Sequence, residues 1–402
     1  MVTGPSSERL AGDGEQVPAS VAEAASAMQA LSSERRPVVF KGGGTEPWPE
    51  PPPEGAAVLR TSRLDRVREH APADQIVAVE AGLTLEKLQR YLAPHGQRLA
   101  LDPPLPERAT LGGILAAGSF GPRRARYGSI RDLVIGITLL RADGALARGG
   151  GKVVKNVAGF DLPRLLYGSA GSLALVVEVV VRLHPLPEVS ETVAVDGLEA
   201  EGALSLARAA RDERLEPAAV AAILERGRFR LLLRFEGFGP GVRGQVERFF
   251  LGPARNLRAE RCTGGNEAAL WALHDALRTK GDLRAKATFV PGRGPRALAS
   301  LGPLLGALEG GAMVYYPTLG IAFVTGTLVD PLTAAEAVAS ARREVAPGHG
   351  AVVLSAAPPA LYERAGILGP PPPEVELFRR LKSAFDPEGR IGPGRLWEGA
   401  KP

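Results

Sequence analysis

Between residues 17 and 32, small and apolar side chains recur at helical spacing. Ala dominates and Ser20 stands where it can cap the first turn, which predicts a helix. An apolar run at 36–41 predicts a strand that ends in Gly42-Gly43-Gly44-Thr45, and the Pro-rich stretch 48–53 predicts loop. Residues 59–67 and 75–80 carry short strand and turn signals. Thr84 is placed to cap a helix over 84–92, with Lys87, Gln89 and Arg90 expected to face outward. From 99 to 187 the chain is dense in Gly and β-branched residues. Strands are expected at 132–140, 153–154 and 173–183, with a helix at 161–167. Asp143-Gly144 is a hairpin signal between 135–141 and 145–148. His184-Pro185-Leu186-Pro187 closes this block and is the expected domain boundary.

The pattern then changes. Amphipathic, Ala-rich helices at 203–211, 242–250, 267–277 and 333–343 alternate with strands at 220–224, 229–235, 312–316 and 321–327. Interleaving of this kind predicts an α+β domain with an antiparallel sheet over 188–355. Residues 356–373 form a Pro-rich linker, and a helix at 375–383 precedes Phe385-Asp386-Pro387-Glu388-Gly389-Arg390. Residues 1–16 are polar and Gly/Ser-rich, so they are expected to be a disordered tail without the apolar segment of a secretory signal. The longest apolar run, 173–181, is broken by Glu178 and falls short of the ~18 residues of a membrane helix.

Composition narrows the chemistry. The 402 residues include one cysteine, Cys262, and five histidines, His70, His95, His184, His274 and His349, in no metal-binding spacing. An intrachain disulfide, a Cys-based zinc site and an iron–sulfur cluster held by this chain alone are thereby excluded. Redox chemistry would need an organic cofactor or a partner. Of the 49 basic residues 41 are Arg, and the net charge is +5. The positive charges are dispersed and aromatics make up 5%, so there is no stripe for nucleic acid. A basic surface of this kind suits an acidic protein or an anionic cofactor.

Several glycine clusters are candidates for anion binding. Gly42, Gly43 and Gly44, beside Lys41 and Thr45, would let backbone N–H groups converge on a phosphate, although a lone triplet also reads as a flexible turn. Gly149-Gly150-Gly151-Lys152 is no Walker A loop: Leu146 replaces the first glycine and Val153 the Ser/Thr. No Rossmann signature opens a helix after a strand. Thr110-Leu111-Gly112-Gly113, Ala116-Ala117-Gly118-Ser119 and Gly121 would bring backbone close to a diphosphate, or equally allow tight helix packing.

Together these pieces resemble one family. Gly42–Thr45, Thr110–Gly113, Ala116–Gly121, Arg126-Tyr127-Gly128, Asp132, Lys155-Asn156-Val157-Ala158-Gly159-Phe160-Asp161-Leu162, Gly168-Ser169-Ala170-Gly171-Ser172-Leu173 and Val177-Glu178 follow the order and spacing of FAD-linked oxidases of the vanillyl-alcohol-oxidase type. The ending Phe385 to Arg395 resembles that family's closing motif. Lys155 to Asp161, with the chain length, is most similar to the smaller FAD-binding subunit of glycolate oxidases.

The resemblance implies a two-subdomain, PCMH-type FAD-binding domain at 17–187 and an α+β cap at 188–355, with 356–402 returning to the FAD domain. It implies FAD, held non-covalently because no histidine follows the glycines of the first loop. Gly42, Gly43, Gly44, Thr45, Thr110, Gly112, Gly113, Ala117, Gly118 and Gly121 would hold the diphosphate. Tyr127, Asp132, Asn156 and Gly159 belong to the same cofactor set, Val177 and Glu178 would lie near the adenosine, and the 155–160 loop would approach the flavin. The implied partners are a larger FAD-binding glycolate oxidase subunit and an iron–sulfur subunit. A small 2-hydroxy acid such as glycolate would be the substrate of the complex, in the cytoplasm or peripheral to a membrane through those partners.

This sequence also departs from the catalytic members. Val154 stands where they carry a substrate-clamping Arg, Ala158 replaces a Thr, Gly392 replaces an Asn, and the cap has no histidine pair for a metal. Lys152, Lys155 or Arg395 remain as possible cations, with no general base beside them. The expectation is an accessory FAD subunit, with a stand-alone dehydrogenase and a non-catalytic assembly subunit as alternatives. His349 is expected in an exposed turn, Tyr315 and Tyr316 in the cap core, and Cys262 and Trp271 in packing.

Overall fold

The computed structural model describes residues 15–46, 53–151 and 160–397. Its first layer is a three-stranded parallel sheet of β1 (Glu15–Gln16), β2 (Val38–Lys41) and β3 (Ala57–Arg60), in the order β1-β3-β2. Helix α1 (Val21–Ser33) packs on it through Met28 and Leu31, and its cap is Ser20, whose hydroxyl accepts the Glu23 amide at 3.1 Å. Glu15 and Gln16, expected in the tail, are paired with Val58 and Leu59.

A five-stranded antiparallel sheet follows, made of β4 (Val67–Ala71), β5 (Ile76–Glu80), β7 (Val134–Leu140), β8 (Leu146–Gly150) and β9 (Leu175–Arg182), in the order β4-β5-β9-β7-β8. The short pair β6 (Gln97–Arg98) and β10 (His184–Pro185) closes its edge. Helices α2 (Leu85–Leu92), α3 (Leu111–Ala117), α5 (Ile130–Leu133) and α6 (Leu162–Leu166) bury their apolar faces against it, while α4 (Arg124–Tyr127) is a single half-buried turn. Each fully buried leucine, such as Leu88 or Leu92, contributes about 1.5–3 kcal/mol. The hairpin at Asp143-Gly144 forms as predicted, with Gly144 at φ +76° and the Asp143 carboxylate accepting the Ala145 amide. Two local expectations fail. Asp132 and Ser129 form a reciprocal capping box, so residues 130–133 are helical and the strand starts only at Val134. Gln89 turns inward, because its amide donates to the Leu99 carbonyl (2.6 Å) and accepts the Leu99 N–H (3.1 Å). The expected strand at 153–154 lies outside the described residues.

Beyond Pro187 the chain enters an eight-stranded antiparallel sheet: β11 (Val189–Leu198), β12 (Ala219–Glu225), β13 (Arg228–Gly237), β14 (Ala259–Thr263), β15 (Leu283–Thr288), β16 (Leu308–Tyr316), β17 (Ile321–Leu328) and β18 (Ala351–Ala356). Their order is β14-β11-β13-β12-β16-β17-β15-β18. Helices α7 (Ala200–Asp212), α8 (Gly239–Leu251), α10 (Gly294–Gly306) and α11 (Pro331–Val345) cover one face. The other face packs on α9 (Gly264–Arg278) and on Phe120 of the first unit. Strands β11, β14, β15 and β18 and helix α10 escaped the sequence pattern, because Arg, Glu and Ser break their apolar runs.

The Pro-rich segment 356–373 contains a helix, α12 (Pro359–Ala365), and the last helix, α13 (Val375–Phe385), leads back to the first unit. There the Lys382 ammonium donates to the carbonyls of Ser172 (2.8 Å) and Ile391 (2.5 Å) and to Asp386 (2.7 Å). Ile391 pairs with Val38, and Arg390 reaches Ser32 and the Ala142 carbonyl. The closing motif is thus a staple onto the parallel sheet. No helix among the described residues is long and apolar enough to cross a membrane.

Candidate functional site

The two units face each other across a cleft of about 500 Å³. Its floor is α3 and the turn after α6. Thr110 opens α3 by accepting the Gly113 amide (3.2 Å), and Gly118 ends it at φ +63°. Tyr167 lies against Gly118 and donates to its carbonyl at 3.4 Å. Beyond Ala116 and Ala170, which line both spaces, the cleft is continued by a groove of about 70 Å³ bounded by Lys41, Gly42, Gly112, Gly113 and Arg395. Burial pulls Arg395 down to about 10, and its guanidinium holds the carbonyls of Ala170 and Phe40.

The glycines here serve different ends. A side chain at Gly43 would run into the Arg108 carbonyl, and one at Gly121 into Asp102, so both are demanded by packing. At Gly113 a Cβ would meet only the Thr110 hydroxyl, at 2.9 Å, and the space ahead of it is the groove. Arg108 binds the carbonyls of Gly43 (3.3 Å) and Gly44 (3.5 Å), and Arg284 binds that of Thr45 (3.3 Å). The loop is therefore pinned by its carbonyls. Among the described residues the N–H groups of Gly43, Gly44 and Thr45 have no partner. A fixed loop with unpaired amides, beside the glycines of α3, whose own first N–H groups are taken by Leu83, Ala81 and Thr110, fits the diphosphate of a dinucleotide.

The roof comes from the large sheet. Strand β15 alternates strictly: Leu283, Ala285 and Ala287 point into the helix-covered core, while Arg284, Lys286 and Thr288 line the cleft. Lys286 stands opposite Phe323 on β17 and Val353 on β18. Arg278, at the end of α9, and Arg124 add two further cations, against Glu46, the one carboxylate on the wall among the described residues, which accepts the Ser119 hydroxyl at 3.0 Å. Burial pushes the Lys286 ammonium below its usual range; Glu46 opposes that shift, while Arg124 and Arg278 add to it.

Glu236 of β13 locks roof to floor. It is 2% exposed and bonded to Arg98 (2.8 Å) and to Arg123, both from the first unit. Burial alone would raise its carboxyl, but Arg123 and Arg98 hold it down at about 2.

Of the residues expected to bind the cofactor, Gly42, Gly112, Gly113, Ala117 and Gly118 line the groove or the cleft, and Gly43, Gly44, Thr45 and Thr110 frame them. Five others line neither: Gly121 packs on Asp102, and the remaining four lie elsewhere. Tyr127 accepts from Arg98 (3.0 Å) and packs edge-on against His184, Asp132 caps α5, Val177 is core, and Glu178 sits mid-sheet between β5 and β7. Asn156 and Gly159, with Val154, Lys155 and Ala158, lie outside the described residues. Arg278, Arg284, Lys286, Glu46 and Tyr167 went unpredicted; the one available signal was the alternation of charge and alanine in Leu283–Thr288. Beside Arg395, the roof adds Arg278, Arg284 and Lys286 to the cations that a carboxylate could meet. Tyr315, Tyr316, Cys262 and Trp271 are buried packing and His349 lies in an exposed turn, as expected. His274 is fully buried, bonded to Asp275 (2.8 Å) and the Tyr316 hydroxyl (3.0 Å), and burial lowers its pKa. Among the described residues no group of His, Cys, Asp or Glu could hold a metal.

Residues 15–150 match a family described as FAD binding domain. The chain is 35% identical over 160 residues to glycolate oxidase subunit GlcE of Escherichia coli, covering 39% of this chain and 45% of that protein. It is 36% identical over 162 residues to glycolate oxidase subunit GlcD of Bacillus subtilis, covering 40% and 34%. A D-lactate dehydrogenase of Archaeoglobus fulgidus is 36% identical over 167 residues, covering 40% and 37%. The matches span less than half the length of each of these relatives. Among solved structures, an alkyldihydroxyacetonephosphate synthase superposes with TM-score 0.71 at 17% identity, over 95% of this chain and 76% of that one, which shows a shared fold.

Proposed function

We propose that this chain, which carries an FAD-binding domain of the kind found in FAD-linked oxidoreductases, is the FAD-binding subunit of a glycolate oxidase complex. In this reading 17–187 is the FAD unit, 188–355 the cap and 356–402 the segment that returns to the first unit. The observation that carries it is the pinned Gly43–Thr45 loop, whose free amides stand beside the glycines of α3 at one end of a roofed cleft. When bound, FAD supplies the two-electron acceptor, and the protein supplies its placement and surroundings. The loop amides would hold the diphosphate, Gly113 would let it approach, and Ala116, Ala117 and Tyr167 would floor the ring. Phe120, Phe289 and Phe323 would keep water out.

Oxidation of a 2-hydroxy acid also needs a group to accept the hydroxyl proton. No histidine lines the cleft among the described residues. A larger flavoprotein subunit and an iron–sulfur subunit are the partners this reading implies. The roof cations favour a second reading, a stand-alone FAD-dependent 2-hydroxy-acid dehydrogenase. Purified chain should be yellow and should release its FAD to the supernatant on acid precipitation. Its absorbance should bleach slowly or not at all with anaerobic glycolate until the larger subunit is added. Colour left in the pellet refutes non-covalent binding, and complete bleaching within seconds by the chain alone selects the second reading.

A further inference from the structure

Among the described residues three arginines are buried to within a tenth of their surface, and two of them are paired with carboxylates. Arg98 is held by Glu236 and Tyr127, and Arg390 by Glu388, Ser32 and the Ala142 carbonyl. The third, Arg278, is 6% exposed, and its Nε and Nη1 have no hydrogen-bond partner. Its guanidinium carbon lies 4.2 Å from the ring centre of Phe323 and 5.7 Å from that of Tyr316. Aromatic contact covers the face of the guanidinium and leaves its in-plane donors uncommitted. Both nitrogens are shielded from solvent, and the residue borders the cleft, where Lys286 adds a second cation. An unpaired buried guanidinium is costly unless an anion completes it.

We propose that the roof of the cleft is an anion site of this chain's own, with Arg278 as the anchor for a small organic carboxylate and Lys286 beside it. A carboxylate matches the planar fork of the guanidinium with two parallel hydrogen bonds. The remaining wall here is apolar, formed by Phe120, Phe289, Leu319, Ile321 and Phe323, which suits a planar carboxylate over the tetrahedral, more strongly hydrated phosphate. The anchor comes from the cap, so a chain with Val154 in place of the usual clamp can still hold an acid. That the acid faces the flavin rests on the reading above; the anion site itself does not.

The test is calorimetric titration of the purified chain with oxalate and, separately, with inorganic phosphate, with flavin content measured on the same sample. Oxalate should bind once per chain, and phosphate at least about tenfold more weakly. R278Q should weaken oxalate at least about tenfold at unchanged flavin content in a chain that still melts cooperatively, and R278K should restore part of the affinity. R208Q, the same change on α7 outside the cleft, should alter nothing. Absence of oxalate binding, equal binding of phosphate, or an R278Q titration matching the parent would overturn the proposal. Should R278Q fail to fold, K286M replaces it, and full oxalate affinity in K286M overturns the proposal likewise. A colourless chain that still binds oxalate through Arg278 refutes the FAD reading and leaves the anion site standing.

Discussion

The floor and the roof of the cleft are built by opposite means. The floor is nearly bare backbone: glycines and alanines at the start of α3, and a loop whose carbonyls are tied down so that its amides are left over. The roof is all side chains, three of them cationic, carried on a strand and a helix end that are far apart in sequence from the floor. Backbone donors tolerate an invariant ligand such as a diphosphate at little desolvation cost. Side chains on a sheet face can be exchanged one at a time without disturbing the core on its other side. The fixed half of the site is therefore suited to a cofactor and the adjustable half to whatever the cofactor acts on.

The largest effect is expected from separating the halves. Glu236 holds Arg98 and Arg123 across the interface while nearly fully buried. E236Q leaves the Arg98 guanidinium without its charge partner and Arg123 with Asp102 in place of two carboxylates, and breaking a buried pair typically costs about 3–5 kcal/mol. Thermal unfolding should fall by several degrees, and flavin release should become faster. The same clamp sets a pH window. The folded carboxyl titrates at about 2, below its ordinary value of 4.5, so its stabilising contribution is complete above that ordinary value and fades as pH falls towards 2. In the variant, the part of the acid destabilisation that belongs to this window should be missing. Unchanged melting across it would mean that the roof is held by other contacts.

The next effect divides the floor into its own two parts. G113V places a side chain in the groove while the helix remains permissive, so flavin occupancy should drop at least about tenfold with the fold intact. G43A should instead destabilise the whole unit, because its Cβ collides with the Arg108 carbonyl. Circular dichroism melts with flavin content on both variants decide the matter. Full occupancy in G113V removes the cofactor from this groove.

The same division explains what could be read from the chain. The floor was legible because its residues lie in runs of consecutive small side chains, and elsewhere in the same unit Ser20 and Thr84 cap helices by purely local chemistry. The roof was not. Arg278 reaches the cleft only through the packing of α9 on one face of the large sheet, and Lys286 only through the register of β15 with β17. Nothing within a few residues of either marks them, apart from the alternation in Leu283–Thr288. Tyr127 and Asp132 illustrate the opposite error. They fall within a recognisable motif, yet their partners Arg98 and Ser129 give them structural work outside the cleft.

The smallest effect concerns the one place where floor and roof share a charge. Glu46 follows the glycine loop, is tethered by Ser119, and is the only carboxylate on the cleft wall among the described residues. It acts on the roof in two opposed ways. Its charge competes with an incoming anion, so E46Q should tighten oxalate at neutral pH by about two- to threefold, the scale of a partly exposed charge interaction. Its charge also holds up the Lys286 pKa against burial and the two arginines. Without it that pKa falls further. Lys286 then loses its proton at a lower pH, and the alkaline limb of oxalate binding should move downward. Tighter binding at neutral pH together with an earlier alkaline loss is a signature that a general loosening of the loop would not produce, since loosening weakens binding at every pH. Titrations of parent and E46Q across the neutral to alkaline range measure both signs at once. If the limb stays in place, Lys286 is not part of the anion site and the proposed pairing of Arg278 with Lys286 fails.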